Sequence, residues 1–248
     1  MVEGQPARPA NIDQIVAINQ GRLPLTMEDP APPALTPQEA EERLAADPGR
    51  RVIDMREPGA FGAGHIPGAI NVQLSSSEFE QRIGWVLGPE TPIFLVGESD
   101  ADASRALHKM AFVGLDLQVE GFIAGGMGAW IGEGLSCDTL PQVTVRQLRE
   151  RLGGTKENGW RVVDVREDGE WAEGHIEGAR HMNFKSMGDR AVEFPFPREE
   201  SLALVCATGL RSSTGTSLLR RHGFRNVRNV TGGMTAWRAA GYGVVSPS

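Results

Sequence analysis

Strand-length apolar runs alternate with longer amphipathic stretches along most of the chain. The runs are RVIDM (51–55) and RVVDV (161–165), AINV (69–72) and ARHMN (179–183), IFLV (93–96) and LALV (202–205), and LQVEGF (117–122) and NVRNVT (226–231). Between several of them lie helical patterns, such as SRALHKMAFVG (104–114) and SSTGTSLLRRHG (212–223), each ending at a glycine. Runs that are apolar on both faces and separated by helices predict an α/β fold with a parallel sheet and helices on both of its faces. Such sheets bind ligands beyond the C-terminal ends of their strands. Thr36, Pro37 and Glu39 predict an N-cap, a first helical turn and a closed capping box, and Thr144 with Gln147 repeats the box. The two helices are expected to stop near Asp47-Pro48-Gly49 and at Gly153-Gly154.

The pattern occurs twice. Residues 54–72 and 164–182 agree at nine of nineteen positions with an offset of 110. LTPQEAEERL (35–44) returns as VTVRQLRERL (143–152), and GGMGAW (125–130) as GGMTAW (232–237). A near-constant offset of about 108 residues is too long for a solenoid and predicts tandem domains, each with its own core. The expected boundaries are an arm over 1–34, a first domain over 35–134 and a second over 142–245, joined by the Gly/Pro-rich linker GEGLSCDTLPQ (132–142). The arm is proline-rich, with one apolar stretch, IDQIVAINQG, that suits a single helix.

Composition narrows the function. The 248 residues are 40% hydrophobic and 23% charged, as in globular proteins. No apolar run approaches 18 residues, so no membrane helix is expected, and the N-terminus lacks a secretory pattern. A net charge of −7 disfavours nucleic acid as a partner and requires any anion site to build its own local field. Two cysteines, Cys137 and Cys206, are too few for a disulfide scaffold or a Cys-rich zinc site, and suit a cytoplasmic chain with reduced thiols. The five histidines show no ligand spacing, so neither metal nor cofactor is expected.

The chemistry concentrates in the second copy. LALV runs into Cys206-Ala207-Thr208-Gly209-Leu210-Arg211-Ser212 and then a helix. A cysteine there faces the free N–H groups and positive end of the helix, which favour its thiolate. Gly209 lets the loop curl into an anion nest, Arg211 adds a fork of cationic donors, and Thr208 and Ser212 offer hydroxyls to loop or ligand. In the first copy Gly97 stands at the Cys206 position, followed by Glu98, Asp100 and Asp102, which repel an anion and can neutralise the helix dipole. That copy reads as catalytically dead. It also serves as a control. Asp54/Asp164, Arg56/Arg166, Glu57/Glu167, His65/His175 and Trp130/Trp237 occur in both copies, so they read as parts of the fold. His175 accordingly reads as a loop histidine satisfying backbone groups rather than a base for Cys206. Arg166, on the same sheet edge as Cys206, is an alternative donor-binding group. Arg180-His181 reads as surface, Arg220-Arg221-His222 as an answer to a helix dipole, and Cys137 as an incidental linker thiol.

The D-x-R-E…G-H-I-x-G-A block, the C-x-x-G-x-R-S loop and the final G-G-x-x-x-W, in order, make residues 35–245 resemble the tandem rhodanese sulfurtransferases. The resemblance implies two rhodanese-like domains. It implies that Cys206 takes sulfane sulfur from a small anionic donor, thiosulfate or glutathione persulfide. The resulting persulfide would be held by the loop 207–212 and passed to a thiol acceptor or cyanide. Phosphatases of related fold carry five residues between cysteine and arginine. Here there are four, Ala207, Thr208, Gly209 and Leu210, a smaller cradle that suits a persulfide sulfur rather than phosphate. The alternative is a sulfur-carrier or regulatory module acting with a protein partner. The arm resembles the segment preceding the rhodanese part of metallo-β-lactamase-type persulfide dioxygenase fusions, which implies such a dioxygenase as a partner. The H-x-H-x-D-H motif of that domain is absent from this sequence.

Overall fold

A computed structural model describes residues 8–23, 31–152, 159–188 and 194–246. The first repeat carries α1 (Ile12–Asn19), β1 (Ala34–Leu35), α2 (Pro37–Ala46), β2 (Arg51–Asp54), α3 (Pro58–Ala63), β3 (Ile70–Asn71) and α4 (Phe79–Val86). It continues through β4 (Ile93–Val96), α5 (Ala101–Ala111), β5 (Val119–Ile123) and α6 (Gly126–Gly132). The second repeat carries β6 (Gln142–Thr144), α7 (Val145–Arg151), β7 (Arg161–Asp164), α8 (Asp168–Ala172) and β8 (Arg180–His181). It ends with β9 (Leu202–Val205), α9 (Leu210–Arg221), β10 (Val227–Thr231) and α10 (Gly233–Ala239).

Each repeat forms a five-stranded parallel sheet, ordered β1-β5-β4-β2-β3 and β6-β10-β9-β7-β8. The expected α/β class is what folds. The central strands β4 and β9 are buried at all four positions, which is why IFLV and LALV show no polar alternation. Both capping boxes form: Thr36 N–H donates to the Glu39 carboxylate at 2.9 Å, and Thr144 N–H to Gln147 Oε1 at 2.8 Å. α2 stops at Ala46, before Asp47. The stop expected at Gly153-Gly154 lies outside the described residues. Among the described residues no helix is long and apolar enough to cross a membrane.

By compactness the chain forms two units. Unit 1 comprises Met1–Arg56 and Val72–Cys137; unit 2 comprises Glu57–Asn71 and Asp138–Ser248. In unit 1 the segment read as an arm holds α1, which is packed on the body. Asn11 Nδ2 donates to Val113 O at 2.8 Å and Ala10 N–H to Gly84 O at 3.0 Å. In unit 2 the core joins Leu148, Val162, Ala203, Val205, Val230 and Trp237. Burial of each large apolar side chain of this kind stabilises a fold by roughly 1.5–3 kcal/mol. Helix α9 is unusual because Ser212, Ser213, Thr214, Thr216 and Ser217 are all buried. Their hydroxyls are satisfied inside the unit: Ser213 Oγ donates to Asn71 Oδ1 at 2.5 Å and Thr214 Oγ1 to Asn71 O at 2.7 Å. Thr216 Oγ1 and Ser217 Oγ turn back to carbonyls of their own helix.

Candidate active site

Strand β9 lies between β10 and β7 and delivers Cys206 to its C-terminal end. Cys206 is 1% exposed, and its Sγ accepts the Gly209 N–H at 3.1 Å. The loop is held from behind by the start of α10. Met234 N–H donates to Cys206 O at 2.8 Å, Thr235 N–H to Ala207 O at 3.0 Å, and Gly232 N–H to Thr208 O at 3.1 Å. These donors are groups that a helix N-terminus leaves without intrahelical partners. The Thr208 carbonyl turns toward α10, and across the same trans peptide the Gly209 N–H points to the sulfur. Gly209 adopts φ +105°, where other residues are strained, and a Cβ there would lie 3.2 Å from Val230 O. Gly233 permits the clamp itself: at φ +52° a Cβ would collide with Cys206 O and Ala207 O. The G-G pair served only to mark the repeat in the sequence; its role is to let α10 approach the loop.

Ser212 Oγ lies 3.4 Å from Cys206 Sγ, but its shorter bond, 2.6 Å, goes to Asn229 Oδ1. Asn229 is fully buried on β10, and its amide N–H groups go to Gln142 Oε1 at 2.8 Å and Gly209 O at 3.1 Å. Those bonds fix which way the amide faces and present Oδ1 to Ser212. The hydroxyl therefore has two settings: donation to Asn229, or rotation to donate to a sulfur anion. Asn229 was not picked out from sequence. Strand register supplies the missing signal, because Leu204 pairs with Asn229 where Leu95 pairs with Phe122. The copy without a cysteine thus carries Phe122 in place of Asn229 and Ala103 in place of Ser212.

The structure changes the reading of Arg211. Its fork closes on Glu170, with N–O distances of 2.6 and 2.8 Å, so its charge is balanced within the site rather than offered whole to an anion. Glu170, too, was missed; its counterpart is Ala60, as that of Arg211 is Asp102. Partial burial by itself would raise the Glu170 pKa. The Arg211 fork, the Glu167 N–H and the charges of Arg211 and Arg166 outweigh that and hold it below the ordinary Glu range. A lowered carboxyl stabilises the fold above its unfolded pKa. The pair is therefore intact at neutral pH, and its contribution disappears as pH falls through the lowered value.

The remaining expected residues sort clearly. Thr208 is exposed, with no side-chain partner among the described residues, and Ala207 and Leu210 are half-buried. Arg166 is 3% exposed and committed to both oxygens of Asp164 and to Gly174 O, so it does not face a donor. Arg56 and Asp54 make the same pair. His175 stacks on Trp171 and bonds its carbonyl at 3.2 Å, as His65 does with Phe61 at 2.9 Å. His181 donates from Nε2 to Arg166 O at 2.8 Å and stacks on the same Trp171, so it is less a surface group than its position suggested. Cys137 is exposed, and neither cysteine is in a disulfide.

The loop of the first repeat is built differently. Asp100 keeps a right-handed φ of −62° where Gly209 turns left-handed. Asp100 Oδ1 accepts the Gly125 N–H at 2.8 Å and Asp102 Oδ2 the Ser99 N–H at 3.0 Å. Asp102 therefore takes an amide inside the loop, and Asp100 takes the Gly125 N–H, whose counterpart Gly232 N–H holds the Thr208 carbonyl in the second repeat. A side chain at Gly97 would meet Asp102 Cβ at 2.7 Å and Ser99 O at 2.9 Å. Gly97→Cys in a Cys206→Ser background is accordingly expected to give no sulfur transfer above the Cys206→Ser baseline. A donor-dependent rate in that double variant would overturn this reading of the loop.

A family model described as the rhodanese-like domain matches residues 36–133 and 144–240. Thiosulfate sulfurtransferase GlpE of Pseudomonas aeruginosa is 33% identical over 104 residues, which is 41% of this chain and 87% of that protein. Thiosulfate sulfurtransferase GlpE of Pseudomonas putida is 37% identical over 102 residues, 40% of this chain and 84% of that protein. The crystal structure of a rhodanese-like domain protein from Staphylococcus aureus aligns with 44% of this chain and all of its own, at 32% identity and a TM-score of 0.38. Since both sheets are covered by that family model, the chain belongs to the rhodanese-like domain family, twice over.

Proposed function

We propose that this chain is a rhodanese-type sulfurtransferase that works through a persulfide on Cys206. The observation that carries the reading is the Cys206 sulfur at the end of a central strand, bonded by Gly209 N–H and approached by Ser212. In the first half-reaction the Cys206 thiolate attacks the outer sulfur of a donor. The donor S–S bond breaks, and its electron pair leaves with sulfite or a thiolate. The new Cys206 persulfide places its terminal sulfur among the loop amides. In the second half-reaction an acceptor thiolate attacks that terminal sulfur, and the Cys206 thiolate is released. No external oxidant is required, because the sulfur moves at the same oxidation level.

Thiosulfate as donor is supported by the names of the Pseudomonas relatives. Glutathione persulfide as donor is supported by the resemblance of the arm to the segment preceding the rhodanese part of persulfide dioxygenase fusions. A persulfide dioxygenase-type partner drawing on the same persulfide pool extends the proposal; its support is the sequence of the arm.

Mass spectrometry of the intact chain tests the reading. One added sulfur, about 32 Da, is expected on the peptide containing Cys206 after exposure to thiosulfate or glutathione persulfide, and removal by a thiol should restore the original mass. Absence of the adduct with both donors would defeat the proposal. Stable loading that no small thiol can discharge would favour a carrier acting with a protein partner.

A further inference from the structure

The geometry points to a binding site for a small aliphatic ammonium ion in unit 1, the unit without the cysteine. Helix α1, the turn at Pro89–Pro92 and the corner at 114–120 line a half-open cavity of about 450 Å³. That is the size of small-molecule sites, which run from about 300 to 1,000 Å³. Ile18, Leu23, Pro92 and Leu117 make it largely apolar.

The polar groups on its wall are of one kind. Asp116 is 8% exposed, and its side chain makes no hydrogen bond or ion pair among the described residues. Its carboxylate is an unanswered negative charge on the cavity wall, which a bound cation would offset. The amides of Gln14 and Gln118 both donate to Pro89 O, at 3.3 and 2.5 Å. That leaves Gln14 Oε1 and Gln118 Oε1 buried without partners. Every unsatisfied group named here is an acceptor, and exposed Glu90 at the rim adds a second carboxylate. A ligand that completes this wall must donate hydrogen bonds, carry positive charge and bury an alkyl body. A primary ammonium on a short chain meets all three requirements.

The fold itself does not call for the acid. The corner Gly114-Leu115-Asp116 returns in the second repeat as Gly223-Phe224-Arg225. The same turn therefore forms with the opposite charge.

Titration calorimetry on the full chain provides the test, with n-hexylammonium and 1,6-diaminohexane as probes and hexan-1-ol and hexanoate as controls. Saturable binding of at least one amine is expected, about tenfold tighter than either control. Asp116→Asn is expected to weaken the amine at least about tenfold, and it removes no existing partner that the fold would miss. Leu117, 82% exposed at the lip, allows a second check that does not threaten folding. Leu117→Lys should weaken the amine and Leu117→Glu strengthen it, in opposite directions. No saturable amine binding at 10 mM, roughly the weak limit for such a site, would overturn the proposal. Equal binding of the alcohol would overturn it too, as would indifference to the sign of the charge at position 117.

Discussion

Cys206→Ser is expected to lower sulfur transfer by about three orders of magnitude or more while leaving unit 2 folded. Serine is close to cysteine in shape, and the position already has a hydrogen-bond donor in Gly209 N–H and a hydroxyl neighbour in Ser212. The packing around β9 is therefore preserved. What disappears is the sulfur nucleophile that forms the sulfur–sulfur bond. Circular dichroism and melting temperature should match the parent chain closely, and the sulfur adduct should be absent from the mass spectrum. Cys137→Ser is the matched control. That thiol is exposed, outside the loop, and its removal should leave rate and loading unchanged. If Cys206→Ser retained a tenth of the rate, or so, the chemistry would have to lie elsewhere in the chain.

Gly233→Ala is expected to cost about 2–4 kcal/mol of stability and to reduce the rate of the remaining folded protein by about a hundredfold. Two effects combine. The left-handed φ of +52° disfavours any Cβ, and the added methyl collides with the carbonyls of Cys206 and Ala207. Relief of that collision must swing those carbonyls and shift the loop that carries Gly209 N–H to the sulfur. Gly241→Ala separates the two effects. Its φ of +73° imposes comparable strain, but a Cβ there has nothing within 4 Å. It should lose about 1 kcal/mol and keep its activity. Thermal melts with kcat measured at a temperature where both variants are folded would check this. Equal kcat in the two variants would show that the contact of α10 with the loop does not shape the site.

Much of the architecture could be read ahead of the structure because it is local. The capping boxes at Thr36 and Thr144 need only four consecutive residues, and β4 and β9 announce themselves as unbroken apolar runs. Cys206 at the end of such a run followed by a helical pattern was equally plain. The edge strands β1 and β6 were not, since two or three residues carry no periodicity. Nor was the grouping of Glu57–Asn71 with the second unit. That depends on contacts such as the one between Asn71 and Ser213, which are 142 residues apart. Glu170 and Asn229 escaped for the same reason. Glu170 sits in a segment that reads as a fold signature, and Asn229 in one that reads as an ordinary strand. Only pairing Glu170 with Arg211 and Asn229 with Ser212 shows their purpose. A position-by-position comparison of the two repeats would have exposed both, because each partner changes along with its mate in the repeat without the cysteine.

The closed pair between Arg211 and Glu170 bears on how the site behaves in different solutions. If the guanidinium is already balanced, the negative charge on a bound sulfur is met mainly by peptide N–H groups, which are short-range, carry no net charge and do not titrate. Mobile ions screen formal charges across a Debye length of about 10 Å at 0.1 M salt, but they scarcely weaken a hydrogen bond inside a buried loop. At saturating donor, sulfur transfer by this protein should therefore run at nearly the same rate in dilute buffer as in physiological salt.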